Sequence, residues 1–161
     1  MDTQAETSIF CQSAITRFPP DRVFHGSNSK FKLTELVDRV KRSKNVIVLL
    51  SPNYPRRTFT MVELHYALRY GANVRTVKVE RAGLGTFDFD KLLNDIKTGE
   101  LFSYLKAEDW ATLAEHDITL EVMADNLLKV MDVVAVDFSV KHPLPIQQSM
   151  LDFIFKDIVV D

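Results

Sequence analysis

The chain has 161 residues, 46% of them hydrophobic and 26% charged, with a formal net charge of −2 and an isoelectric point near 6.1. That length suits one domain with a substantial core, and that charge balance offers no electrostatic grip on nucleic acid. No apolar run approaches the roughly 18 residues that cross a bilayer, and one cysteine, Cys11, excludes both an internal disulfide and a cysteine-based metal cluster.

The first 20 residues lack the basic start and long apolar run of a signal peptide, so a reducing, cytoplasmic setting is expected. Residues 1–21 read as a weakly defined segment stopped by Phe18-Pro19-Pro20, and residues 22–161 as the α/β domain. Arg22-Val23-Phe24-His25 suits a short strand before the polar loop at 26–30. Leu33, Leu36, Val37 and Val40 then mark one face of a helix, with Arg39, Lys41 and Arg42 at its end, where they suit the helix dipole. The run NVIVLL (45–50) predicts a strand buried on both faces.

A helix is expected over 59–70, closed by Gly71. NVRTVKV (73–79) alternates and is less apolar, which predicts a strand nearer a sheet edge. Gly83 and Gly85 mark a turn. Phe89, Leu92, Leu93 and Ile96 then predict a short helix closed near Gly99. Further helical spacing fills 101–131, VVAVDF (133–138) predicts another buried strand, and Ile146, Met150, Phe153 and Ile154 predict a last helix. Alternation of this kind predicts a flavodoxin-like, three-layer α/β domain with a central parallel sheet. Ligands in such sheets bind beyond the carboxyl ends of strands, near a topological switch point, which places Ser51 and the 52–58 loop at the expected site.

Several chemistries lack their motifs. GLG at 83–85 is short of a dinucleotide fingerprint, and there is no P-loop and no G-x-S-x-G elbow. His25, His65, His116 and His142 have no metal-ligand spacing, so no metal is expected. A phospho-receiver domain wants an aspartate where Ser51 stands.

The stretch SPNYPRRTFTMVELHYAL (51–68) is more informative. A strand that opens into Ser51-Pro52-Asn53-Tyr54 and then a helix bearing Glu63-Leu64 resembles a conserved box of the Toll/interleukin-receptor (TIR) domain family. Phe59 and Thr60 stand where that family usually has Trp and Cys. The preceding LTELVDRVKRSKNVIVLL and the following GANVRTVKVE are similar to the family's flanking segments, so the resemblance covers roughly residues 22 to 80. The chain departs from the family in its first strand–helix unit, which is shortened or missing. That departure would leave a sheet edge for the N-terminal segment or a second copy to cover.

The resemblance implies an intracellular signalling module, of the kind used in innate immunity, that associates with other TIR-like domains or with itself. The contact surfaces would be the loops at 26–30 and 51–58. In enzymatic members the acid at the Glu63 position is the catalytic residue of an NAD+ glycohydrolase, with NAD+ as substrate and no separate cofactor. There a fixed carboxylate stabilises the positive charge that builds on the ribose as nicotinamide leaves. By that resemblance Ser51, Asn53 and Tyr54 would line the cleft and Phe59 would pack beneath it. Without it, Glu63 reads as an ordinary helix acid, a little far from Thr58, the expected N-cap, for a capping box. Three readings stay open: an association module, an NAD+-consuming enzyme, and a degenerate α/β scaffold.

Overall fold

In the computed structural model, which describes residues 4–25, 32–80, 85–133 and 135–158, three parallel strands form the middle layer. They are β1 (Asn45–Leu50), β2 (Asn73–Val79) and β3 (Ala135–Phe138), and β2 lies between the other two. Leu49 stands opposite Val77 across one ladder, and Val77 opposite Val136 across the other.

Period-two alternation divides the core into two parts. Ile47, Leu49, Val77, Val79, Val136 and Phe138 share one face of the sheet. It is covered by α1 (Gln4–Arg17) and α7 (Leu144–Phe155). Val46, Val48, Leu50, Val74 and Ala135 share the other. Over that second face lie α2 (Leu33–Arg42), α3 (Thr58–Arg69), α4 (Phe89–Thr98), α5 (Ala107–Glu115) and α6 (Leu120–Met131). The result is a three-layer α/β domain with a parallel sheet, and α3 falls within one residue of its expected limits. Gly71 and Gly99 end α3 and α4 at φ of 72° and 76°, a conformation glycine adopts without strain.

Four expectations need correcting. First, the N-terminal segment is a helix of 14 residues that closes one face of the sheet. Its inward side is Glu6, Phe10, Ser13 and Ala14, all buried, so polar side chains occupy two of the positions that reveal a helix in a sequence. Phe10 meets Phe138 edge-on at 5.0 Å and Phe155 at 6.3 Å, and Arg17 pairs with Asp152 of α7.

Second, β2 is the central strand, although it is less apolar than β1. Its cations are held by acids distant in the chain: Arg75 by Asp157 at 2.7 Å, and Lys78 by its ladder partner Asp137 at 3.7 Å. β1 takes an edge, which leaves only Val48 and Leu50 of its side chains fully buried. Third, no strand forms at 22–25. Arg22 ends a single 3-10 turn (Pro20–Arg22), and Val23 packs on the α1 side of the sheet while Phe24 lies beneath the Arg39 guanidinium of α2 at 4.7 Å. Fourth, the three strands follow chain order, so no switch point exists among them. Of the expected turn at Gly83 and Gly85, only Gly85 lies among the described residues, with φ of 77°.

If α1 seals the sheet as described, Phe10→Ala should cost about 3–5 kcal/mol, the usual penalty for emptying a buried aromatic site. Urea unfolding measures it, and a cost under about 0.5 kcal/mol, typical of surface changes, would show that α1 is not part of the core.

Candidate functional site

At Ser51 the chain leaves the sheet through a tight turn. The Tyr54 N–H donates to the Ser51 carbonyl at 2.9 Å, and a 3-10 turn (Tyr54–Arg56) follows, with the Arg56 N–H on the Asn53 carbonyl at 3.1 Å. Pro55 suits such a turn, because its fixed φ matches and its missing N–H would have no partner there. Ser51, Tyr54 and Pro55 are all buried, and Tyr54 belongs to the core beneath α3.

The start of α3 is locked to this turn. The Thr60 hydroxyl donates to the Tyr54 carbonyl at 3.1 Å and to the Arg57 carbonyl at 2.8 Å. Arg57, not Thr58, is the N-cap residue, and Thr58 is the first residue of the helix. The Thr58 hydroxyl instead donates to the Asp109 carboxylate at 2.7 Å. Asp109 also accepts the Lys106 N–H at 2.9 Å at the start of α5, so one acid ties two helix starts together. The Thr58 bond, then the Lys106 bond, hold the Asp109 carboxyl below its usual range.

One and a half turns along α3, Glu63 faces inward toward Tyr54. Burial pushes its carboxyl from an ordinary 4.5 up to about 7. Burial, and then the nearby Glu63 charge, push the Tyr54 hydroxyl well above its ordinary range. Among the described residues no donor or cation bonds to the Glu63 carboxylate. A half-buried acid without a partner, at the carboxyl end of a strand, is the kind of perturbed group that marks functional sites.

Among the described residues, the expected site residues do not line one open cleft. Tyr54 and Glu63 come together, and Asn53 is partly open to solvent on the turn. Ser51 is closed off at 3% exposure, and Phe59, expected beneath the cleft, faces solvent at 51%. The loop at 26–30 lies outside the described residues. Arg56 stacks over the Tyr104 ring at 4.4 Å.

Two of the hollows among the described residues lie elsewhere. One, of about 280 Å³, lies between α3 and α6 and is lined by His65, Arg69, Asp125, Asn126 and Lys129, among others. Asn126 is buried and meets His65 Nδ1 at 3.1 Å, while Nε2 of the same ring is buried without a partner among the described residues. Burial first, then the Arg69 charge, lower the His65 pKa. Tyr66 bonds His116 Nδ1 at 3.0 Å, which brings two histidines 51 residues apart to the same tyrosine. Nothing in the sequence pairs them, since only the packing of α5 and α6 on α3 does so. The other hollow lies at the end of α2, against the amino ends of β1 and β2.

The sequence matches no protein-family model and no curated protein.

Glu63 also makes stability depend on pH. Its folded-state pKa, about 7, lies above the ordinary 4.5, so the unfolded chain releases this proton first. Its contribution is therefore full below pH 4.5, falls as pH rises toward 7, and is lost above that. The loss is up to about 3 kcal/mol, and Glu63→Gln should restore most of it at pH 8 with little change at pH 4. Urea midpoints at several pH values test this, and parallel curves for the two proteins would contradict it.

Proposed function

We propose that the chain is a TIR-like signalling module that acts by homotypic association, with itself or with other TIR-like domains. In this reading the 51–58 loop and the start of α3 form a contact surface. The observation that supports it best is Phe59, 51% exposed on a helix start that Thr58 and Thr60 hold rigid. Its neighbours Tyr54 and Pro55 are buried, so the ring stands out from a closed, well-packed base. Large aromatic side chains presented in this way serve as interface anchors.

Light scattering should show an average mass that rises with concentration, alone or on mixing with another TIR-like domain. Phe59→Ser should weaken that association by about tenfold or more. Its cost to folding should stay under about 0.5 kcal/mol, as for other surface changes. A strict monomer at every concentration and in every mixture would count against the reading.

A second reading, NAD+ glycohydrolase, is favoured by one observation, the unpaired Glu63 carboxyl. A cationic nicotinamide riboside beside it would favour the ionised form and lower its pKa. The carboxylate would then stabilise the positive ribose as the C–N bond breaks and nicotinamide leaves neutral with the bond's electron pair, while water adds to the anomeric carbon and releases a proton to solvent. Free nicotinamide should appear when the protein is incubated with NAD+, and Glu63→Gln should remove most of that release. Release that survives the substitution would assign the chemistry to another residue.

A further inference from the structure

Near neutrality overall conceals a division of charge along the chain. Residues 32–79 carry ten Lys or Arg against three Asp or Glu, whereas residues 85–132 carry four against eleven. The first stretch forms α2, β1, α3 and β2, and the second forms α4, α5 and α6. Within the helical layer α2 packs against α3, and α3 in turn packs against α5 and α6. Arg75 and Lys78 of the first stretch are paired in the sheet with Asp157 and Asp137. Residues 32–44, around α2, still carry five Lys or Arg against two Asp or Glu, and residues 107–131, from α5 through α6, carry one against six, so the layer runs from a basic flank to an acidic one.

The basic flank is concentrated at the end of α2, where Lys41, Arg42 and Lys44 border a hollow of about 480 Å³ together with Tyr70. The Lys41 ammonium rests over the Tyr66 ring at 4.8 Å and the Tyr70 ring at 5.8 Å, contacts that position the charge without cancelling it. Arg42 donates to the backbone carbonyl of Asp38 at 3.1 Å. On the other flank Glu115 and Glu121 are exposed, and among the described residues neither has an ion pair.

Helix dipoles account for the cations and for Glu121, which lies in the first turn of α6, but not for Glu115. Cations at the end of α2 are favoured by the negative pole there. Glu115 sits in the last turn of α5, where the same pole opposes an acid, and that turn holds no basic residue. Its own helix gives no reason for the charge.

Opposite flanks on one chain satisfy each other between copies. We propose that the basic end of α2 on one copy docks on the α5–α6 flank of the next. Such a contact joins two different surfaces, so it repeats along an open array unless its rotation closes a ring. The proposal rests on the association reading above and adds a second contact to it, which orders the copies head to tail by charge.

The test uses two full-length variants, Arg42→Glu with Lys44→Glu, and Glu115→Lys with Glu121→Lys, with folding checked by circular dichroism. Either single change, Lys44→Glu or Glu115→Lys, replaces a double variant that fails to fold. Wild-type association should weaken at least tenfold, roughly, as salt rises from about 0.05 to about 0.5 M, where screening shortens to a few ångströms. Each variant alone should associate at least about tenfold more weakly than the wild type, because both its flanks carry the same sign, and an equimolar mixture should regain the lost strength. A mixture that associates no more tightly than either variant overturns the proposal. So does wild-type association that ignores salt and both charge variants; if that association is lost in Phe59→Ser, the association reading survives without this contact. A wild type that never associates ends both. Binding of the basic flank to phosphatidylserine-rich vesicles without self-association would overturn the proposal in favour of a membrane surface.

Discussion

Tyr54 enters the core from the end of β1 with its backbone held on both sides, by the Ser51 carbonyl at 2.9 Å and the Thr60 hydroxyl at 3.1 Å. Because those two partners belong to the strand end and to the first turn of α3, the tyrosine fixes the point at which the helix departs from the sheet. The direction of α3 then sets the helices that lean on it: α5 through the Thr58–Asp109 bond, α6 through His65 and Asn126, and α2 along its other contacts. The same placement leaves Glu63 against a tyrosine, in surroundings that disfavour its charge. An apolar partner for Tyr54 and an acid on the helix above it follow from one turn.

Strand and helix periods were legible where each element buries an apolar stripe of its own. α2, α4, α6 and the three strands are of this kind. α1 was not, because Glu6 and Ser13 occupy inward positions and break the stripe that Phe10 and Ala14 begin. The central place of β2 was hidden for a related reason. Arg75 and Lys78 suggest an exposed strand until Asp157 and Asp137 are brought beside them, and no local pattern announces a pairing over that distance. At the candidate site, the closeness of Glu63 to the Tyr54 turn followed from the order of the motif. The outward turn of Phe59 and the closure of Ser51 did not, since both depend on how tightly the 3-10 turn packs under α3.

Closure of the motif bears on function. Ser51 and Tyr54, which the resemblance would set on a cleft wall, are both buried. Among the described residues, this end of the molecule exposes Phe59 and Arg56 and leaves Pro52, Asn53 and Arg57 partly open to solvent. The helical layer offers charge instead, basic on the side of α2 and acidic on the side of α5 and α6. A rigid aromatic anchor and two flanks of opposite sign are the features on which the proposed association rests. The Glu63 carboxyl, unpaired among the described residues, is the feature on which the enzymatic alternative rests.

The architecture of this end of the molecule depends on the Ser51–Tyr54 turn folding inward and withdrawing Glu63 from water. Carbon-13 NMR of the Glu63 carboxyl, titrated from pH 3 to pH 9 and assigned with Glu63→Gln, measures that directly. A closed motif predicts a midpoint of about 7, while a midpoint at the ordinary 4.5 would mean that the acid is hydrated and the turn open.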